Sequence, residues 1–271
     1  MSNYDNKNTV NILWTGGWDS TFSLLLLVDR DVIIQPHYII DRRRNSYKKE
    51  IEVMDEIRAA ILDKYPITRH SFRPTIYTEL SDVKIDEEMF IKHKNLQQDT
   101  GLGDQYNWIA SYAKNADLND LQMSIVKDGS ISGLLDGFFE KVDDGILQPY
   151  WKTTNVPDDR DISILSYFHY PVLDYTKLDM LETSKKEGFF DILNLSWSCH
   201  KPINDEPCGI CKPCIIAIES GLSWRLTPKA IRRYKLRRLY AFYNKLVRKF
   251  VIIKKNLKNE RLNNHYYINK L

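Results

Sequence analysis

Long apolar runs are missing from this sequence. Nowhere in its 271 residues does a stretch approach the roughly 18 consecutive apolar positions of a membrane-spanning helix. The longest early run, LLLLV at 24–28, ends in Asp29, Arg30 and Asp31. The N-terminus, MSNYDNKNTV, has neither the basic start nor the apolar centre of a secretory signal, so a cytoplasmic protein is expected. Cysteine is scarce: there are four, all between 199 and 214. No disulfide framework can spread along such a chain, and crowding of this kind in a reducing compartment points to metal. Glycine is also sparse, at eleven residues, so the adjacent pair Gly16-Gly17 stands out. Acid is nearly absent from the C-terminal end. Residues 225–271 hold fifteen Lys/Arg and one acid, Glu260, whereas residues 1–224 hold 24 Lys/Arg and 35 Asp/Glu. The net charge of +3 therefore conceals an acidic body and a basic tail.

What remains is enough for a large core, since hydrophobic residues make up 43% of the chain. Val10–Trp14 reads as a strand and Ser20–Val28 as a helix, with the glycine turn between them. Val32–Ile40 reads as a second strand and Glu50–Leu62 as an amphipathic helix. Strands are expected at 68–77 and 121–126, a helix at 106–116, a strand-like piece at 170–173 and a helix at 178–186. The Gly-, Asp- and Pro-rich middle, 128–166, reads as loops and short helices. Alternation of this kind predicts an α/β fold, doubly wound around a mostly parallel sheet, with ligands beyond the carboxyl ends of the strands. The expected division is a body at 1–224 and a tail at 225–271. From Lys229 onward Leu236, Leu239, Tyr240, Tyr243, Leu246, Val247 and Phe250 recur every three or four residues among Arg and Lys, which predicts a basic amphipathic helix.

The segment LWTGGWDSTF at 13–22 joins the first strand to the first helix. Such a turn is a ready anion site, because the opening amides of the helix lack partners and carry partial positive charge. Gly16 and Gly17 permit backbone angles that a side chain forbids. Thr15, Ser20 and Thr21 add hydroxyl donors. Asp19 would repel a bare phosphate, but suits a Mg²⁺ ion carried by phosphate, or a helix cap. The P-loop lysine and the dinucleotide spacing are both absent. The alternative is an ordinary strand–helix turn.

The second motif, Cys199, Cys208, Cys211 and Cys214, has the pattern C-x8-C-x2-C-x2-C. Four thiolates suit tetrahedral Zn²⁺ with no open position, hence a structural site. An iron–sulfur cluster is the competing reading.

LWTGGWDSTF resembles the pyrophosphate-binding loop of the N-type ATP pyrophosphatases, usually S-G-G-x-D-S, with Thr15 in place of Ser and a large Trp18 at the variable position. The knuckle preceded by Trp197-Ser198-Cys199, the run YPVLDYTKLDMLETSKKEGFFDILNLSWSC and HYIID at 37–41 resemble the 7-cyano-7-deazaguanine synthase family over roughly residues 8–222. The resemblance implies an adenine nucleotide α hydrolase-like fold with a C-terminal zinc knuckle, and ATP, Mg²⁺ and Zn²⁺ as cofactors. It implies cleavage of ATP to AMP and pyrophosphate to adenylate a carboxylate that ammonia then captures, as in carbon–nitrogen ligation. Thr15, Gly16, Gly17, Asp19, Ser20 and Thr21 would hold pyrophosphate and Mg²⁺. Asp41 would serve the nucleotide end, and Lys177 the leaving charge, beside Asp19 and Ser20. Three departures stand out, the first being that the Gly-Tyr-Pro-Asp stretch expected after the fourth strand is not recognisable in SGLLDGFFEKVDDG. His200 occupies the usual Tyr position, and GLGDQYNW lacks the Arg of the family's substrate-contacting Arg-Asn pair. Other acceptors stay open, including a tRNA, as does a non-catalytic nucleotide-binding role. The basic tail could bind nucleic acid, an anionic membrane surface or the acidic body of a second subunit in a homodimer, or could simply pack on its own domain.

Overall fold

Period-two alternation along β1 (Thr9–Leu13) sends Val10 and Ile12 to one face of a sheet and Leu13 to the other. In this computed structural model, which describes residues 8–127, 133–134 and 137–239, β1 is an interior strand, the third of seven. It pairs in parallel with β2 (Ile33–Ile40) from Thr9↔Ile33 to Leu13↔His37, and with β4 (Leu121–Gln122) through Ile12↔Gln122. Flanked on both sides, β2 is buried along almost its whole length, its polar Gln35 and His37 included. With β3 (Ile76–Glu79), β5 (Phe139–Val142), β6 (Tyr150–Thr153) and β7 (Phe168–Tyr170), the order is β3-β2-β1-β4-β7-β6-β5. The first five strands in that order are parallel, while β6 runs antiparallel to both of its neighbours, β7 and β5. From β1 the chain builds outward through β2 and β3, then returns to the other side of β1. The switch point between β1 and β4 is where a doubly wound sheet opens a crevice.

Helices cover both faces. Those packing on the Val10 face are α1 (Trp18–Leu25), α2 (Tyr47–Lys64), α5 (Lys177–Lys186) and α6 (Phe190–Asn194). On the opposite face lie α3 (Glu87–Thr100), α4 (Gln105–Asn115) and the short 3-10 turn at Asp161–Leu165. Helix α7 (Lys212–Glu219) starts at the last cysteines.

The expected doubly wound α/β architecture is present, with four local corrections. The third strand falls at 76–79 rather than 68–77: Pro66 starts a 3-10 turn, and only the single bridge Ile34↔Phe72 forms before Pro74. The fourth strand keeps only Leu121 and Gln122 of the expected 121–126. The strand-like piece expected at 170–173 lies at 168–170. The middle segment contains the β5–β6 hairpin, whose four-residue strands are too short to show periodicity. Helix α3 was unforeseen, although Asp86 caps it through Met89 N (3.0 Å) and left-handed Gly101 ends it.

The tail does begin as a helix, at 228–239. It lies on the cysteine knuckle: Ala230 is fully buried, and Arg233 Nη1 donates to the carbonyls of Pro207 (3.1 Å) and Cys208 (3.0 Å). The expected apolar positions from Tyr240 to Phe250 lie outside the described residues.

Candidate functional site

The glycine turn sits at the carboxyl end of β1. Trp14 N still donates to His37 O (3.0 Å), and its buried indole donates to Thr21 Oγ1 (3.2 Å). Thr21 is fully buried, so its hydroxyl ties the loop to the core. Gly16 takes the left-handed conformation (φ 65°), and its carbonyl accepts from Trp197 N (2.8 Å). A Cβ at Gly16 would lie 3.0 Å from Met54 Cγ and 3.2 Å from Glu50 O, so both conformation and space require glycine. Gly17 caps α1 with extended backbone and, having no side chain, leaves the amides of Trp18, Asp19 and Ser20 unanswered. The Thr15 and Ser20 hydroxyls lie 3.2 Å apart, and Thr15 N donates to Ser20 Oγ (3.2 Å). The Thr15 and Ser20 hydroxyls thus lie beside the start of α1 at the carboxyl end of β1, where a doubly wound sheet receives its ligands.

Two cations converge beside Asp19. The Lys177 ammonium pairs directly with its carboxylate. Lys177 opens α5 immediately after a capping box in which Thr176 N donates to Asp179 Oδ2 (2.8 Å) and Asp179 N to Thr176 Oγ1 (3.2 Å). Arg225 lies over the Trp18 ring, 4.5 Å from its centroid, and donates to the Ser196 hydroxyl (2.9 Å) and carbonyl. Burial pulls its pKa down to about 10, partly offset by the charge of Asp19, so it stays cationic at neutral pH.

Asp41 follows β2, but its carboxylate accepts from Arg43 N (3.1 Å), Nε (2.8 Å) and Nη2 (3.1 Å), which holds its pKa below the usual carboxylate range. Arg44, the next residue along, reaches Gln105 Oε1 (3.3 Å) at the start of α4. Buried Glu50 accepts from Tyr38 Oη and Ser46 Oγ, both at 2.6 Å. His200 is kept toward its neutral form, chiefly by burial and secondarily by the charge of Arg44. On α4 and around the end of β4, Asn107 Oδ1, Gln122 Oε1 and Ser124 Oγ are buried without a hydrogen-bond partner among the described residues. Buried polar atoms of this sort are candidates for ligand contact.

The cysteine sulfurs all lie within 4.8 Å of one another, and all four residues are buried. The Cys208–Cys214 and Cys199–Cys211 pairs are 3.9 Å apart, far beyond a disulfide and near the roughly 3.8 Å edge of a tetrahedron with metal–sulfur bonds of about 2.3 Å. Cys208 Sγ accepts from Ile210 N (3.4 Å) and Cys211 N (3.2 Å), and Cys199 Sγ from Cys208 N (3.2 Å). Amides aimed at sulfur favour thiolates. The cage fits one tetrahedral ion, and a multi-iron cluster would need its sulfurs further apart.

Loop, Lys177 and knuckle, far apart in sequence, are thus neighbours, joined by the Gly16–Trp197 hydrogen bond. Sequence reasoning overlooked Arg225, which composition assigns to the tail, and Arg44, one cation among three in a polar loop. Neither carries a local signal, because each acts on residues distant in the chain.

The family described as Queuosine biosynthesis protein QueC matches residues 9–222. No curated protein matches the chain. Among solved structures, a crystal structure of a 4-thiouridine synthetase–RNA complex with bound ATP is similar at 12% identity and a TM-score of 0.36. That likeness covers 81% of this chain and 50% of that one.

Proposed function

Because the chain belongs to the QueC family of queuosine biosynthesis proteins, an ATP-using PP-loop family, we propose that it is a carbon–nitrogen ligase that adenylates a carboxylate for capture by ammonia. One observation carries this reading: at the carboxyl end of β1 a left-handed glycine turn brings together the start of α1, the Thr15 and Ser20 hydroxyls and the Asp19–Lys177 pair. In this reading a carboxylate oxygen attacks the α-phosphorus of ATP. The bond from α-phosphorus to the bridging oxygen breaks, and pyrophosphate departs. Ammonia then displaces AMP to give an amide. A second activation, on the amide oxygen, and loss of that oxygen with AMP give a nitrile.

The residues have separate roles. The amides after Gly16 and Gly17, with Thr15 and Ser20, hold pyrophosphate, while Thr21 holds the loop through Trp14. Asp19 is the carboxylate that would hold a nucleotide-borne Mg²⁺, and Lys177, paired with it, is the ammonium placed to meet the leaving charge. Such chemistry rests on positioning and charge neutralisation, without a protein nucleophile. Asp41 acts at the nucleotide end through the arginine it fixes. The knuckle holds structural Zn²⁺ and, through Trp197, braces Gly16. A deazapurine acceptor is supported by Arg44, which brings to the start of α4 the guanidinium that this helix lacks, through Gln105, two residues before Asn107, whose buried side-chain amide oxygen has no partner among the described residues.

A second acceptor class has its own support. Arg232, Lys235 and Arg238 are exposed at three-residue intervals along the tail helix, a stripe suited to RNA phosphates. The test is AMP release from Mg-ATP and ammonia with 7-carboxy-7-deazaguanine, with other carboxylates or with tRNA. Nitrile and AMP from the deazapurine are expected. AMP release with tRNA alone would favour the second reading, and none with any acceptor would refute both.

A further inference from the structure

Arg225 lies three residues beyond the family match, in a segment whose composition marks it as tail. It is nevertheless packed against the first turn of α1, largely withdrawn from water. Its described partners are two neutral oxygens of Ser196 and the face of Trp18, and no carboxylate bonds it among the described residues. A guanidinium taken out of water without an anion is costly. The acid whose charge it feels is Asp19, and the carboxylate of Asp19 is already taken by Lys177. Two cations and the positive end of α1 therefore surround one carboxylate. That excess of positive charge suits a further anion at the loop.

The contact geometry shows how Arg225 would act. It stacks on Trp18, the residue immediately before Asp19 and the first of α1. Trp18 Nε1 has no hydrogen-bond partner among the described residues, so the indole is located by packing and by this cation. The other end of Arg225 grips Ser196, whose neighbour Trp197 holds the Gly16 carbonyl. One side chain thus ties both ends of the glycine turn: the Gly16 end through 196–197 and the Asp19 end through Trp18.

We propose that Arg225 is a positioning residue of the pyrophosphate site, supplied by the segment after the knuckle. It holds Trp18 and the 196–197 segment in register, and adds a second cation against the leaving pyrophosphate. This rests on the reading of the loop given above.

The test uses the full zinc-loaded chain and titrates Mg-pyrophosphate and AMP separately by calorimetry. Arg225→Gln keeps a donor for Ser196 but no charge, Arg225→Met removes both, and Arg225→Lys restores charge without the planar stack. Zinc content and melting temperature report folding for each. The glutamine variant, the one expected to stay folded, should lose about tenfold in pyrophosphate affinity while AMP affinity holds, with lysine recovering part of the loss. A purely structural role would weaken both ligands together. Equal pyrophosphate binding by wild type and Arg225→Gln, or parallel loss of both ligands, overturns the proposal and leaves the loop reading intact. Failure of the wild-type chain itself to bind Mg-pyrophosphate overturns both.

Discussion

Replacing Gly16 by alanine separates the shape of the loop from its chemistry, because no functional group is removed. At φ 65° an L side chain costs about 1 kcal/mol. The new Cβ would sit 3.0 Å from Met54 Cγ, which can swing away, and 3.2 Å from Glu50 O, which belongs to the α2 backbone and cannot. Easing that second contact needs a shift of a few tenths of an ångström in the loop or the helix, at about another 1 kcal/mol. If the loop yields instead, the 2.8 Å bond from Trp197 N to Gly16 O is lost, again about 1 kcal/mol. The expected destabilisation is about 2–3 kcal/mol, or roughly 5–10 °C in melting temperature for a domain of this size. The functional effect should be larger than the thermal one: KM for Mg-ATP rises about tenfold or more, because displaced amides no longer converge. Thermal melts and AMP-release kinetics on one preparation read both. A Gly16→Ala protein that melts within about a degree of wild type and keeps its KM would refute the account of the turn.

Three further outcomes are expected. Cys208→Ser removes one corner of the sulfur cage, so elemental analysis should fall from about one zinc per chain to near none, with loss of solubility; iron with sulfide in the wild type would reverse the assignment. Gly209→Ala places a Cβ 2.0 Å from Ala230 O at φ 77°, a clash between backbones that no rotamer relieves; it should cost about 3 kcal/mol and expose residues 228–239 to rapid hydrogen exchange, and unchanged exchange there would contradict the docking. Burial lowers the pKa of His37 and His169 below the usual 6.5, so the unfolded chain binds protons that the folded chain refuses. Their contribution is therefore whole above pH 6.5 and is lost as pH falls below it toward the folded values. Melts at about pH 5 and about pH 7.5 should differ accordingly, and His37→Gln should flatten the slope.

The legible parts of this chain were those whose cause is local. Val10–Trp14, the glycine turn and the leucine-rich end of α1 declare themselves by period and by paired glycines, and the knuckle by spacing alone. The third strand begins later than expected because Pro66 starts a 3-10 turn and only the single bridge Ile34↔Phe72 forms before Pro74, constraints that the residues at 68–72 do not announce. The β5–β6 hairpin was missed because its strands carry four residues each. Composition changes sharply at 225, yet contacts continue across that point: Arg225 reaches Ser196 and Arg233 reaches Cys208. Charge composition counts residues and carries no record of what they touch.

From the sequence alone came the doubly wound α/β class, the glycine turn between the first strand and the first helix and the four-sulfur set, because each depends on residues within one or two turns of chain. The tertiary structure decided which distant groups meet there. It set Lys177 on Asp19, turned Thr21 inward to Trp14, occupied Asp41 with Arg43 and brought Arg225 onto Trp18. Those pairings depend on how the sheet, α5 and the knuckle pack against one another. Packing across the 158 residues that separate Asp19 from Lys177 leaves no periodic trace in the order of amino acids.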